Sequence, residues 1–96
     1  MEKITNVITI VIPIFNEEEG IARLLPAFEE YVNSSKFDVN LLLVNDGSTD
    51  NSLIEIKKLA ELHEHVGYLS FDKNAGLSAA IRAGFERSTT QWVGYI

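Results

Sequence analysis

Apolar residues in this chain alternate between two kinds of stretch. The first kind is short and nearly continuous in β-branched and aliphatic residues: Ile8 to Ile14, Val39 to Val44, Gly67 to Phe71 and Trp92 to Ile96. Runs of that length and composition read as strands buried on both faces, the pattern of a parallel sheet. The second kind is longer and amphipathic with helical spacing: Glu17 to Asn33, Asn51 to Glu64 and Leu77 to Arg87. The predicted order is therefore βαβαβαβ. Short connections between such elements imply a parallel sheet with helices on its faces.

The helices carry local signals. The first has an apolar stripe of Ile21, Leu24, Leu25, Phe28 and Val32, with Glu17, Glu18 and Glu19 in its opening turn. Anions are favoured there by the helix dipole. Pro26 lies inside the stripe and predicts a kink or a split near Ala22, because proline removes one helical hydrogen bond. Asn33-Ser34-Ser35 is a polar stop. The second helix would bury Leu53, Ile56, Leu59, Ala60 and His63, with Asp50 or Ser48 as its N-cap. In the third, Leu77, Ile81, Gly84, Phe85 and Ser88 share a face. Its Ala79, Ala80, Ala83 and Gly84 make it thin enough to pack closely on a sheet. Close packing would offset the roughly 1 kcal/mol that a helical glycine costs.

At 96 residues the chain is one domain, spanning 1–96. The expected fold is α/β, a three-layer αβα arrangement with a parallel, Rossmann-like sheet. A hydrophobic content of 46% and a charged content of 23% read as soluble and globular. No apolar run approaches the ~18 residues of a membrane span, and the start of the chain lacks a secretory signal pattern. A cytoplasmic location is expected. The absence of cysteine excludes disulfides and thiolate metal sites. The net charge of −6 argues against a nucleic-acid partner. The last run, Gln91 to Ile96, reads as a strand in which the chain stops, so a piece of a longer protein is expected.

Ligands of open parallel sheets bind at the carboxyl ends of the strands. Three polar turns fall on that edge: residues 15–17, 45–50 and 72–76. In the first, Phe15 beside Pro13 is either a ring for a flat base or a core residue. Asn16 is either a contact or a helix cap, and Glu17 could accept from a ribose hydroxyl or a base N–H. In the second, Asp46 follows a buried strand and could accept a ligand's N–H or hydroxyl, while Gly47 permits a sharp turn and a close approach. The same residues also suit plain turn chemistry, and Asp50 suits a cap. In the third, Lys73-Asn74-Ala75-Gly76 opens a helix. That is either an anion site, with Lys73 and Arg82 adding charge, or a capped helix start. His63 and His65 do not share a helix face, which argues against a metal site.

Several motifs are absent. No G-x-x-x-x-G-K-[ST] loop exists, the first βα turn lacks G-x-G-x-x-G, and no nucleophile stands in a recognisable constellation. No two carboxylates are spaced to hold Mg²⁺ or Mn²⁺.

Three stretches together resemble glycosyltransferase family 2, which has a GT-A fold. Val11-Ile12-Pro13-Ile14-Phe15-Asn16-Glu17-Glu18-Glu19-Gly20-Ile21 is similar to that family's opening motif. Leu43-Val44-Asn45-Asp46-Gly47-Ser48-Thr49-Asp50-Asn51-Ser52 is similar to its nucleotide-binding turn. Asn74-Ala75-Gly76-Leu77-Ser78-Ala79-Ala80-Ile81-Arg82-Ala83-Gly84-Phe85 is similar to its Asn-x-Gly segment and following helix. The order and spacing of the three match over nearly the whole chain.

The resemblance implies a nucleotide-sugar donor site. Pro13, Phe15, Asn16 and Glu17 would line its base and ribose pocket. Asp46, with Gly47, would meet the base. Lys73, Asn74 and Gly76 would lie near the ribose or diphosphate. Phe15 stands where the family often has Tyr, which keeps stacking and loses a hydroxyl. The third motif looks closest to transferases acting on dolichol or undecaprenyl phosphate, whose members often carry membrane helices later in the chain. A UDP-sugar is the expected donor, with a GDP-sugar second, and the acceptor would be a polyprenyl phosphate or a growing glycan of the cell envelope. The family's Asp-x-Asp motif, which binds Mg²⁺ or Mn²⁺ and the donor diphosphate, and its catalytic base are expected after Ile96. These 96 residues would then be the donor-binding part of an inverting transferase, at the cytoplasmic face of a membrane and inactive alone.

Two other classes stay open at this level. A receiver-type signalling module would use the acids at Glu17 to Glu19 and Asp72, although it needs a lysine on a later strand, and this chain has none there. A non-catalytic interaction domain would use an open sheet edge, through which the chain would also self-associate.

Overall fold

The computed structural model describes residues 7–34, 38–88 and 92–95. Its elements are β1 (Val7–Ile14), α1 (Glu18–Ser34), β2 (Asp38–Asp46), α2 (Ser52–Leu62), β3 (Val66–Phe71), α3 (Leu77–Arg87) and β4 (Trp92–Tyr95). The order is the one the hydrophobic pattern predicts. The side chains of Leu25 and Val32, Ser35 of the polar stop, and Gln91 and Ile96 lie outside the described residues.

All four strands are parallel, in the order β3-β2-β1-β4. Consecutive pairs run from β1 outward to β3, and the fourth strand returns to the other side of β1. The strand order therefore reverses at β1, the place where ligands of open α/β sheets settle. A receiver-type sheet has the order 2-1-3-4-5, which would put β3 beside β1. Here β3 pairs with β2, so the receiver alternative is set aside.

Alternation along the strands divides two cores. Ile10 and Ile14 of β1 and Leu41 and Leu43 of β2 pack with Ile21, Ile56 and Leu59 under α1 and α2. Val11, Leu42 and Val44 point to the opposite face, where they meet Ala80 of α3 and the partly buried Val93. Strands buried on both sides are apolar at every position, which is why β1 and β2 read as continuous runs.

Three expectations change in detail. Pro26 does not split α1, which is one helix through that position. Both Pro26 and Ala22, whose carbonyl loses its partner, are exposed. Water can satisfy that carbonyl, so the loss does not break the helix. The buried side of α3 is also rotated from the expected one. Ala80 and Gly84 are buried, whereas Leu77 is 63% and Phe85 42% exposed. A Cβ on Gly84 would collide with the Val11 side chain. The smallest residues thus face the sheet, and the larger ones turn outward. Finally, β2 continues two residues past Val44 and takes in Asn45 and Asp46, both buried.

Gly84→Ala should lower stability by about 1–3 kcal/mol through overpacking, although alanine is the better helix former by ~1 kcal/mol. Val11→Ala in the same chain should relieve part of that loss. Urea midpoints of the single and double variants check this, and a stabilised Gly84→Ala protein would contradict the close contact.

Candidate functional site

The three carboxyl-edge turns meet, and the segment from Asn45 to Ser52 joins them. Asp46 ends β2 in register with Phe71, the last residue of β3. Its side chain is 4% exposed. Its Oδ1 accepts from the Ala75 N–H at 2.6 Å, and its Oδ2 accepts from the Gly76 N–H at 3.0 Å. The Asn74 amide donates to Oδ2 and to the Asp46 carbonyl, both at 3.1 Å. The start of α3 thus already receives an anion, and that anion is part of the chain. Charge-assisted bonds of this kind are about twice as strong as neutral ones.

Gly47 has φ +67°, the left-handed region that disfavours a side chain. A Cβ there would also strike the backbone of Lys73 and Asn74. The close approach that glycine permits is therefore made to the third turn. Gly76, the N-cap position of α3, has φ +98° and no side chain to cap the helix, so Asp46 serves instead.

The first and second turns are laced as tightly. Asn16 has φ +52°, a region that asparagine tolerates better than most residues. Its N–H donates to Ser48 Oγ at 3.0 Å, and its Oδ1 accepts from the N–H groups of Thr49 at 2.8 Å and Asp50 at 3.3 Å. Glu17 N–H donates to the buried hydroxyl of Ser52 at 2.8 Å. Asp50 accepts from Glu18 N–H at 3.3 Å through one oxygen and from Ser52 N–H at 2.9 Å through the other. One carboxylate therefore meets the first residue of both α1 and α2. Of the two N-cap candidates for α2, Asp50 takes the role from just outside the helix, and Ser48 turns to Asn16 instead. Asn45 accepts from Ser48 N–H at 3.2 Å and donates to Ser70 Oγ at 3.0 Å, tying the turn to β3.

The predicted residues separate into two groups. Asn16, Asp46, Gly47, Asn74 and Gly76 hold the three turns together. Phe15, Glu17 and Lys73 are exposed beside them, and Pro13 is half-buried in β1. Phe15 is 46% exposed and enters neither core. Asn45 and Ser52 act in the framework without having been singled out individually, and Ser48 acts there in a role other than the cap expected of it. A spacing of three between Asn45 and Ser48 is the sequence trace of a side chain closing its own turn. His63 and His65 lie at the opposite edge of the sheet. His65 Nδ1 is 3.1 Å from Asn40 Oδ1, and His63 Nε2 is 4.0 Å from a Glu29 carboxylate oxygen.

Among the described residues, no group of three or more His, Cys, Asp or Glu could hold a metal ion. The buried carboxylate, Asp46, is saturated on three sides by backbone and amide donors. The described residues therefore do not fit a divalent cation.

Asp46→Asn should cost about 2–3 kcal/mol, since hydrogen bonds to a charged group are lost and an amide faces backbone donors. Gly47→Ala should cost at least about 2 kcal/mol, from the left-handed backbone and the collision together. Denaturant titration measures both. Asp50 titrates below the ordinary carboxylate value, chiefly because the Ser52 hydroxyl bonds to its charged form, with the backbone donors adding to this against partial desolvation. A depressed carboxylate stabilises the fold above its unfolded value, about 3.9, and that contribution is lost as the pH falls through the folded one. Urea midpoints followed from pH 6 to about 2 should therefore drop less steeply in Asp50→Asn than in the unaltered chain.

Known proteins are similar to this chain in sequence and in architecture. The chain is 36% identical over 88 residues to the undecaprenyl-phosphate 4-deoxy-4-formamido-L-arabinose transferase of Proteus mirabilis, an overlap of 91% of this chain and 27% of that protein. It is 35% identical over 82 residues to a prophage bactoprenol glucosyl transferase homolog of Escherichia coli, covering 85% of this chain and 27% of the relative. The chain thus spans about a quarter of the length of these curated relatives. Among solved structures, the mannosyltransferase PcManGT of Pyrobaculum calidifontis, in complex with GDP-Man and Mn²⁺, superposes with a TM-score of 0.72 at 20% identity over 85% of this chain and 24% of its own. That likeness shows the fold, a GT-A arrangement. The sequence pattern of glycosyl transferase family 2 runs through residues 9–96, from the third residue of β1 to the last residue, and the chain belongs to that family.

Proposed function

We propose that the carboxyl edge of this sheet binds the nucleotide diphosphate of a sugar donor, and that the chain is the donor-binding part of an inverting hexosyltransferase. One observation carries the reading. The exposed ring of Phe15 stands at the strand-order reversal, next to three turns that hydrogen bonds already hold in place. A flat base stacked on an aromatic side chain gains about 1–3 kcal/mol. Pro13 and Glu17 flank that ring and would meet the base and ribose. Asp46 offers its remaining acceptor position to a base N–H, and Lys73 supplies a cation toward the diphosphate, beside Asn74 and Gly76.

A UDP-sugar is the first choice of donor and a GDP-sugar the second; the fold neighbour that holds GDP-Man supports the second. The relatives named for undecaprenyl phosphate and bactoprenol support a polyprenyl phosphate as acceptor, and with it a place at the cytoplasmic membrane face. No helix among the described residues is long and apolar enough to cross a membrane. In this reading the divalent ion, Mg²⁺ or Mn²⁺, is held by residues beyond the described ones, and these 96 residues bind donor without transferring sugar. The outer edge of β4 pairs with no other described strand and would support self-association.

Titration of the chain with UDP and with GDP, followed by amide NMR, tests the site. Shifts should concentrate at residues 13–17, 44–48 and 72–76. Phe15→Ala should weaken the tighter nucleotide by about tenfold or more, the equivalent of losing one stacked base. Its urea midpoint should stay within about 0.5 kcal/mol of the parent, as for an exposed side chain. An absence of shifts at millimolar nucleotide would sink donor binding by this chain.

A further inference from the structure

We infer that Asn16 is a positioning residue of the nucleotide site, one that orients Phe15 and Glu17 by anchoring its side-chain oxygen on the second turn; the inference rests on the reading above. Three observations support it. Asn16 is a non-glycine residue at positive φ among the described residues, +52°, and it sits between two exposed side chains. A residue held in that region needs surroundings that determine it. Here they do: Ser48 Oγ takes its N–H, and its Oδ1 takes the N–H groups of Thr49 and Asp50. The Thr49 hydroxyl adds a longer contact to the same oxygen, at 3.4 Å.

The acceptor oxygen is therefore fully spent. A carboxamide oxygen has two lone pairs, and it already serves two backbone donors and a hydroxyl. That oxygen has no lone pair left for a ribose hydroxyl or a base N–H. Its effect on a ligand is geometric: it fixes where the backbone leaves β1, and so the direction in which Phe15 and Glu17 project. The next residue is pinned from the other side, with Glu17 N–H on Ser52 Oγ. Glycine at position 16 would keep the left-handed backbone and lose the acceptor. Aspartate would keep an acceptor oxygen and still tolerate that backbone. The two substitutions separate backbone permission from side-chain positioning.

The test compares Asn16→Gly, Asn16→Asp and the parent chain for UDP affinity and melting temperature, with binding measured well below the lowest transition. Asn16→Gly should bind UDP about tenfold or more weakly, the scale of a site displaced by a fraction of an ångström to 1 Å. Asn16→Asp should recover most of the affinity. In both, the Thr49 and Asp50 amide resonances report the bond, moving far in the glycine variant and little in the aspartate one. Parent-like UDP binding by Asn16→Gly, alongside weakened binding by Phe15→Ala, overturns the positioning role and leaves the donor site standing. A loss of melting temperature without a loss of affinity overturns it equally. If the parent chain binds no UDP or GDP, the donor site itself fails and this role falls with it.

Discussion

Helix starts leave backbone N–H groups without partners, and this chain meets that constraint at three helices with one short segment. Between Asn45 and Ser52 lie the acceptors for the start of α1, through Asp50 and Ser52, of α2, through Asp50, and of α3, through Asp46. Everything else at the carboxyl edge depends on this arrangement. The two acids sit where helix dipoles favour negative charge, so each bond is strengthened by the field at the helix end. Because the three helices lie on both faces of the sheet, the segment also ties the two cores to each other.

That role alters the way the site acts. A helix N-terminus is a ready place for phosphate, yet here Asp46 already occupies the amides of Ala75 and Gly76. A donor would meet a framework whose charges are largely matched, and the groups left to recognise it are the exposed Phe15, Glu17 and Lys73, the half-buried Pro13 and the one acceptor position of Asp46 not yet used. Binding on a rigid, internally satisfied edge loses less ordering entropy than binding on a loose one. Among the described residues no buried side-chain polar atom lacks a partner, in keeping with such a framework.

Much of the fold was legible because each element carries its own signal. Continuous β-branched runs marked β1 and β2, and helical spacing marked the three helices. The polar turns fell on one edge as soon as the strands were read as parallel. Asp46 was legible as important, but not as buried: turn-forming residues after Val44 hid the two extra strand positions, which exist because β1 pairs with Asn45 through Ile14 and β3 pairs as far as Phe71. The face of α3 was misread for a related reason. Periodicity favours Leu77 and Phe85, whereas the sheet accepts only Ala80 and Gly84, because Val11 fills the space beneath. Pro26 was expected to interrupt α1, and its exposed side of the helix removes the need.

The sequence by itself determined the order of elements, the parallel sheet and the family, since these follow from local periodicity and from three motifs in fixed order. The tertiary structure alone decided the strand order around β1 and which polar residues face each other. The bonds from Asn16 to Asp50 and from Asp46 to Gly76 join residues far apart in the chain. No local pattern encodes those pairings. They come from the packing of helices and strands that places three turns within hydrogen-bond reach, and they separate the residues that build the site from those left to meet a ligand.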